Sequence, residues 1–230
     1  MSHQRNLLRI KSVYDALGDL KDGIVFVGGA TVSLYADRMA EEVRPTDDID
    51  ILIELLAYKD YAALEEQLRK RGFSNDQESG IICRYKVQGI VVDVMATGIK
   101  ELGFSNKWYT AGHKNALKYE IDEDHIIKIF SAPYFIASKL EAFKSPARKD
   151  NNNGIFSSDF EDIVFVLENR FSIWDEIKQC QHDLKEYLKN EFGKLLANPL
   201  FEEWVDANAG YGSPPATYYI IQQLEELVNS

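Results

Sequence analysis

Cysteine is scarce in this 230-residue chain, which contains only Cys83 and Cys180. Two cysteines are too few for the disulfide framework of a small secreted domain or for a zinc cluster. Long hydrophobic runs are missing as well, since none approaches the roughly 20 apolar residues of a membrane span, and the first residues show no signal-peptide pattern. These absences predict a cytoplasmic protein with free thiols and no membrane partner.

Basic residues are in the minority, with 26 Lys and Arg against 37 Asp and Glu and a formal net charge of −11. The deficit is regional: residues 1–149 carry 21 basic and 22 acidic side chains, whereas residues 150–230 carry 5 and 15. Because neutralisation of phosphates by Lys and Arg dominates nucleic-acid affinity, the last third is a poor surface for RNA. Only the nearly neutral first two thirds is expected to meet such a partner.

Hydrophobic residues make up 45% of the chain, enough for one large or two small domains. Strands are predicted over the apolar or alternating runs 24–27, 48–53, 80–87, 90–95 and 126–130, with a hairpin between the third and fourth. Helices are predicted from helical spacing over 7–20, 30–39, 58–70, 131–143, 158–169, 173–196 and 217–228. Ser158 and Glu161 fit a capping box. The order predicts a mixed α/β fold, with one region over 1–130 and a helical region over 131–230.

Three aspartates lie on predicted strands. Asp48 and Asp50 are two residues apart, so their side chains share one face of a strand, whereas Asp47 should point away from it. Asp93 interrupts the apolar run Val91–Met95, where a carboxylate is costly to bury without a partner. Adjacent carboxylates repel each other unless a cation lies between them, and Mg²⁺ prefers such hard oxygen ligands. The pattern is typical of a metal site.

A glycine pair, Gly28 and Gly29, ends the first predicted strand before a helix, where backbone amides can face a triphosphate. Each feature alone has an ordinary explanation. An Asp-x-Asp pair is usually a solvated strand end, a Gly-Gly pair is usually a tight turn, and an aspartate inside a strand is often salt-bridged. The three features in this chain order favour a site for a metal and a nucleotide.

The order of strand, Gly-Gly, helix, Asp-x-Asp and strand-borne Asp resembles the nucleotidyltransferase superfamily with a DNA polymerase β-like palm. More narrowly, the chain is similar to the AbiEii/AbiGii nucleotidyl transferase toxin family of abortive-infection systems. The resemblance covers about residues 24–170 and rests on the segments 26–30, 44–50, 92–95, 103–109, 132–135, 139–143 and 158–163. One departure is Gly29, which stands where many nucleotidyltransferases carry serine.

The resemblance implies a palm-like mixed sheet flanked by helices and Mg²⁺-dependent transfer of a nucleoside monophosphate from an NTP to an acceptor hydroxyl. Asp48, Asp50 and Asp93 would hold Mg²⁺, with two ions able to clamp the attacking and leaving oxygens, and Asp93 would activate the hydroxyl. The residues implied in nucleotide binding are Gly28, Gly29, Thr46, Lys139, Arg148 and Asp159. Lys139 would also act in catalysis, as a cation that contacts the triphosphate.

Several of these residues have a second interpretation. Lys139 has apolar neighbours on its helix and is also interpretable as a lysine that extends to solvent. Arg148 lies in a polar loop and is almost equally interpretable as an exposed linker residue. Asp159 is the family's second acidic position, able to orient Lys139 or to contact the nucleotide, while Asp162 is a candidate for fold support alone. Trp108 and Tyr109 are candidates for stacking on a base, although core packing is the commoner role of such a pair.

RNA, including tRNA, is the acceptor that the resemblance favours, and a toxin of this kind would have a cognate antitoxin as partner. Basic residues near the predicted approach of RNA are Lys139, Lys144, Arg148 and Lys149. The alternative is a non-catalytic module that keeps the fold to bind a nucleotide or a partner. Retention of three repelling carboxylates argues against that alternative.

Overall fold

The computed structural model describes residues 2–37, 43–55, 58–97, 106–148, 152–210 and 216–230. The chain divides into two compact units, one formed by Met1–Ser33 with Glu41–Ser131 and the other by Leu34–Ala40 with Ala132–Ser230. Neither unit contains a described helix with the length and apolar character that a bilayer crossing requires.

The first unit is built on a mixed β-sheet, which confirms the predicted α/β class. Its described strands are β1 Ile24–Val27, β2 Asp48–Glu54, β3 Ser74–Asn75, β4 Arg84–Val87, β5 Ile90–Thr97, β6 Leu117–Glu120 and β7 Ile126–Ile129. The seven strands follow the order β3-β4-β5-β2-β1-β7-β6. β2 pairs in parallel with β5, and β1 with β7, whereas the other neighbours are antiparallel.

Helices flank this sheet: α1 Ser2–Leu17, α2 Tyr58–Lys70 and α3 Tyr109–Lys114. α1 and α3 pack against β2. The predicted limits of α2 are confirmed, while the helix predicted over 7–20 begins earlier and ends at Leu17. Gly18 adopts φ +55°, a left-handed conformation that ends the α-helix, and a 3₁₀ helix follows over Gly18–Gly23.

The predicted hairpin is confirmed, with a two-residue turn between β4 and β5. Gln88 has φ 50° and Gly89 has φ 77°, the pair of positive values that a tight hairpin turn requires. The strand begins at Arg84 and not at residue 80, because Gly80, with φ 68°, lies in a turn before it. The helix predicted over 30–39 is a 3₁₀ helix over Gly29–Tyr35, and its predicted end at Met39 lies outside the described residues.

In the second unit the described elements are α4 Ala132–Phe143, α5 Ser158–Asn169, α6 Ile173–Gln179, α7 His182–Leu196, α8 Phe201–Asn208 and α9 Ala216–Val228. Aromatic rings from α4, α5 and α8 meet edge to face, with Trp204 against Phe143 and Phe160 at centroid distances of 6.1 and 5.9 Å. All of these ring contacts lie within the second unit and contribute to its core.

Two sequence predictions in this unit are wrong in detail. The helix predicted over 173–196 is broken after Gln179, because Cys180 and Gln181 adopt extended ψ values of 171° and 141°. The capping box at Ser158 and Glu161 is displaced by one residue, since Ser157 is the N-cap of α5 and its side chain accepts a hydrogen bond from the Phe160 amide. A serine side chain in that position satisfies an amide that the helix leaves without a carbonyl.

Candidate active site

A row of side chains crosses four strands of the sheet at one level. In this register Arg84 of β4 lies opposite Asp93 of β5, Asp93 lies beside Asp50 of β2, and Asp50 lies opposite Val27 of β1. Asp48 shares the face of Asp50 because side chains alternate along a strand. The buried apolar residues that alternate with the aspartates are Ile49, Ile51, Val92 and Val94. The structure therefore brings all three predicted carboxylates onto one face of one sheet.

Arg84 forms ion pairs with two of these carboxylates. Its Nε donates to Asp93 Oδ1 at 2.8 Å and its Nη2 donates to Asp93 Oδ2 at 2.7 Å, which is a two-pronged ion pair. The same Nη2 also donates to Asp48 Oδ2 at 3.0 Å. Hydrogen bonding to Asp93 raises the pKa of Arg84 further above its ordinary value, so the guanidinium is charged at every accessible pH. Arg84 is thus a permanent positive charge at the centre of the candidate site.

Gly28 lies directly against the Asp50 carboxylate. It follows β1 with φ +74°, and a Cβ atom at this position would collide with Asp50 Oδ2 and come within 2.6 Å of Asp50 Cγ. The turn is held by Thr31, whose amide and hydroxyl both donate to the Gly28 carbonyl, at 3.2 and 2.9 Å. Only glycine fits, because it combines the positive φ with the absence of a side chain.

We expect Gly28→Ala to lower the free energy of unfolding by about 1–2 kcal/mol more than Gly89→Ala does. Gly89 has a similar φ of +77°, but a Cβ atom there would meet nothing within 4 Å, so its replacement costs only backbone strain. The difference between the variants isolates the collision with Asp50, and urea unfolding of both measures it. Equal destabilisation of the two variants would contradict the close approach of Gly28 to Asp50.

Gly29 lies against the segment that leads into β2. A Cβ atom on Gly29 would collide with Arg44 Nη2 and come within 2.9 Å of Thr46 Cγ2. Thr46 is buried, and its carbonyl accepts from Arg9 Nη1 of α1 at 2.5 Å. Arg9 Nη2 donates in the same way to the carbonyl of Asp47, whose side chain is fully exposed. Gly29 and Thr46 are therefore neighbours at the end of the carboxylate row, with Arg44 as a further cation beside them.

The second unit contains a separate buried cluster of charges on α4 and α5. Lys139 Nζ lies 2.9 Å from Asp159 Oδ1 and 2.7 Å from Asp162 Oδ2, and the three residues are only 7%, 2% and 1% exposed. Burial opposes the charged form of the lysine, yet the two carboxylates outweigh burial and raise the pKa of Lys139 above its ordinary value. Lys139 does not extend to solvent, and Asp162 binds it as directly as Asp159 does.

Arg148 contributes a second cation to this cluster. Its Nη2 lies 2.6 Å from Asp159 Oδ2, and its side chain is half exposed. Arg148 therefore forms an ion pair with Asp159, whereas an exposed linker residue would form none. The neighbouring Lys149 and Asp150 lie outside the described residues, as do residues 103–105 of the family-like segment 103–109.

Cys83 lies beside the carboxylate row but is not a nucleophile there. Burial, together with the charges of Asp93 and Asp50, raises the pKa of its thiol to about 12. The thiolate is the reactive form of cysteine, so this buried side chain is inert at neutral pH. The sequence prediction of a free thiol is confirmed at this position, where Cys83 is a buried free cysteine.

The carboxylate row suits Mg²⁺ in its chemistry but does not form a preassembled metal site. Among the described residues no group of three or more His, Cys, Asp or Glu side chains is arranged to hold a metal ion. Two observations nevertheless match a cation: the three carboxylates offer only hard oxygen donors, and Arg84 already supplies positive charge to two of them. The third carboxylate, that of Asp50, borders a space that a side chain at position 28 would fill.

Arg84 is a residue of the candidate site that sequence reasoning missed, although a signal was present. A hairpin whose two-residue turn is Gln88–Gly89 pairs residue 87 with residue 90 and therefore residue 84 with residue 93. The predicted hairpin already implied that Arg84 faces Asp93. The contact from Arg84 to Asp48 could not be inferred in this way, because it depends on β2 lying beside β5.

Comparisons with known proteins add no family assignment. The chain matches no protein-family model, and a search of curated proteins finds no significant match. The resemblance to nucleotidyltransferases thus stays a prediction.

Proposed function

We propose that this protein is a Mg²⁺-dependent nucleotidyltransferase with a palm-like sheet, of the kind that the AbiEii/AbiGii toxin family represents. The observation that carries the proposal is the register that sets Asp50 beside Asp93, with Asp48 on the same face. Two adjacent aspartates inside an apolar sheet are destabilising unless a cation offsets them. The contact of Gly28 with Asp50 supports the proposal further, because it brings a glycine turn next to these carboxylates.

In the proposed reaction an acceptor hydroxyl attacks the α-phosphorus of an NTP. A bond forms between the hydroxyl oxygen and that phosphorus, the bond to the β-phosphate oxygen breaks, and pyrophosphate leaves with its electron pair. Asp48, Asp50 and Asp93 would hold Mg²⁺, which supplies positive charge to the triphosphate when bound. Asp93 would accept the hydroxyl proton, and the turn at Gly28 and Gly29 would carry the phosphates.

The acceptor that we propose is RNA, with tRNA included, and a cognate antitoxin is the proposed protein partner of such a toxin. Contact with the nucleotide stays a prediction for four residues: Thr46, Lys139, Arg148 and Asp159. The ion pairs of Lys139 with Asp159 and Asp162 also support a purely structural role for it. The cytoplasmic location likewise stays a prediction.

A non-catalytic module that binds a nucleotide or a partner is the second candidate. The pairing of Arg84 with Asp93 and Asp48 favours it, because a salt bridge satisfies both carboxylates without a metal. The two candidates differ in what Mg²⁺ does to the protein. In the presence of NTP, millimolar Mg²⁺ would stabilise a metal-dependent enzyme against unfolding more than EDTA would, whereas a module that binds NTP without a metal site would be equally stable with Mg²⁺ or with EDTA.

The deciding experiment incubates the purified protein with each α-labelled NTP and total RNA, with Mg²⁺ or with EDTA. We expect label from one or more nucleotides to enter RNA only when Mg²⁺ is present. Absence of transfer together with absence of Mg²⁺-dependent NTP binding would overturn the proposal. NTP binding without transfer, independent of Mg²⁺, would favour the binding module.

A further inference from the structure

Arg84 occupies the carboxylate oxygens that the proposed function assigns to a metal. Both Asp93 oxygens accept hydrogen bonds from it, at 2.8 and 2.7 Å, and one Asp48 oxygen accepts a third at 3.0 Å. The Asp93 side chain is 14% exposed and the Arg84 side chain 23% exposed, so solvent competes poorly for this contact. Charge-assisted pairs of this two-pronged geometry are among the stronger hydrogen bonds in proteins.

The backbone, and not chance placement of a long side chain, fixes this contact. Arg84 faces Asp93 directly in the antiparallel register of β4 and β5. Lys86, two residues further along the same strand, pairs with Asp76 at 2.9 Å and not with the aspartate row. One cation on β4 thus pairs with the row, while the next cation on the same face of β4 pairs with Asp76.

A divalent cation and Arg84 compete for the same oxygens. The guanidinium cannot lose its proton in a protein, so it leaves the carboxylates only by moving. A triphosphate offers a guanidinium the same paired oxygen acceptors that a carboxylate does. A bound triphosphate can therefore draw the Arg84 guanidinium away from Asp93 and Asp48, and their oxygens are then free to bind a metal ion.

We propose that Arg84 is a resident counter-cation that blocks the aspartate row in the nucleotide-free protein and transfers to the phosphates of an incoming nucleotide. Metal binding is then coupled to nucleotide binding, and the protein takes up a divalent cation mainly together with an NTP. This inference rests on the proposed function, because it needs a triphosphate to enter beside the row. It adds a regulatory role for a residue outside the predicted metal ligands.

The test is a calorimetric titration of nucleotide-free protein with Mn²⁺ as the metal probe. We expect Arg84→Met to bind Mn²⁺ at least about fivefold more tightly than the wild type, because the competitor for Asp93 and Asp48 is gone. Lys86→Met is the matched control, since it removes a cation from the same strand that pairs elsewhere, and its affinity should equal that of the wild type. A non-hydrolysable NTP analogue should tighten Mn²⁺ binding to the wild type but much less to Arg84→Met.

A second variant keeps the test informative if Arg84→Met fails to fold. Arg84→Lys retains the charge but loses the two-pronged contact, and we expect it to bind Mn²⁺ more tightly than the wild type and less tightly than Arg84→Met. Unchanged or weaker affinity in every foldable Arg84 variant would overturn the inference.

The labelled-NTP assay separates this inference from the proposed function. Tighter Mn²⁺ binding by the Arg84 variants without nucleotide transfer by the wild type would support the counter-cation and refute the enzyme. Nucleotide transfer by the wild type with unaltered Mn²⁺ affinity in the variants would support the enzyme and refute the counter-cation.

Discussion

Lys139→Met should lower the free energy of unfolding by about 3–5 kcal/mol, the usual cost of breaking a buried ion pair from one side. The lysine ammonium lies between the carboxylates of Asp159 and Asp162, at 2.9 and 2.7 Å. Methionine matches the apolar stem but leaves Asp162, which is 1% exposed, without that neighbouring positive charge. Asp159 Oδ2 still lies 2.6 Å from Arg148 Nη2 in this variant, so most of the loss in the free energy of unfolding comes from Asp162.

Urea unfolding measures this effect, and Lys194→Met is its control. Lys194 also pairs with a buried carboxylate, Glu191, but its own side chain is 63% exposed and Lys144 remains on the same glutamate. We expect that control to cost less than about 1 kcal/mol. Equal costs for the two lysines would contradict the assignment of Lys139 to a buried cluster.

Combining Lys139→Met with Asp162→Asn tests the same ion pair by also neutralising the carboxylate that has lost its lysine. If the penalty arises from a buried carboxylate that has lost its lysine, a neutral amide at position 162 should restore part of the stability. A double variant that is destabilised by the sum of the two single costs would show that the residues do not act as a pair. This comparison also distinguishes charge from the loss of packing by the lysine stem.

Asp50→Asn should reduce nucleotide transfer by about a hundredfold to a thousandfold, if the proposed function is correct. A metal ion contributes several kcal/mol to a phosphoryl-transfer transition state, and each 1.36 kcal/mol corresponds to a factor of ten in rate. Asp50 is the central member of the row, with Asp93 beside it and Gly28 against its carboxylate. The amide that replaces it carries no charge and is a poor ligand for Mg²⁺ in place of a carboxylate.

Asp47→Asn provides the matched control for that substitution. Asp47 is in the same segment, but its side chain is fully exposed and its carboxylate lies 3.9 Å from Arg5 Nη2. We expect Asp47→Asn to retain wild-type transfer of label into RNA, while Asp50→Asn loses it. Urea unfolding of both variants checks that the loss is not a loss of folded protein. Transfer by Asp50→Asn at the wild-type rate would remove the aspartate row from the reaction.

Local patterns in the sequence predicted the elements that carry the candidate site. The β-rich run before the glycine pair, the alternation of acidic and apolar residues in β2 and the spacing of α2 are all confirmed. Each of these depends on the periodicity of residues close in the chain, which selects the face that is buried. The hairpin turn also implied that Arg84 lies opposite Asp93, because a tight turn fixes the register of the strands that it joins, but Arg84 was not among the predicted site residues.

Patterns failed where a few residues break an otherwise helical segment. Residues 173–196 keep helical spacing on both sides of the interruption, and Cys180 and Gln181 are neither proline nor glycine, so nothing in the composition indicated the end of α6. The N-cap of α5 was displaced by one residue because Ser157 and Ser158 are equally good caps in sequence. Local propensity is a weak guide between such equivalent solutions, because tertiary context overrides it.

The sequence by itself determined which residues are charged, which face of each strand carries them and which strand pairs through the hairpin. Only the tertiary structure decided which distant charges meet. Asp50 lies beside Asp93 because β2 and β5 pair in parallel across more than 30 intervening residues, and Lys139 meets Asp162 because α4 packs on α5. Periodicity specifies a buried face but not the element that covers it, since apolar burial is non-directional and many partners satisfy it equally. The assembled sheet therefore decides which residues lie next to the carboxylates. It makes Arg84 the cation that Asp48 and Asp93 share.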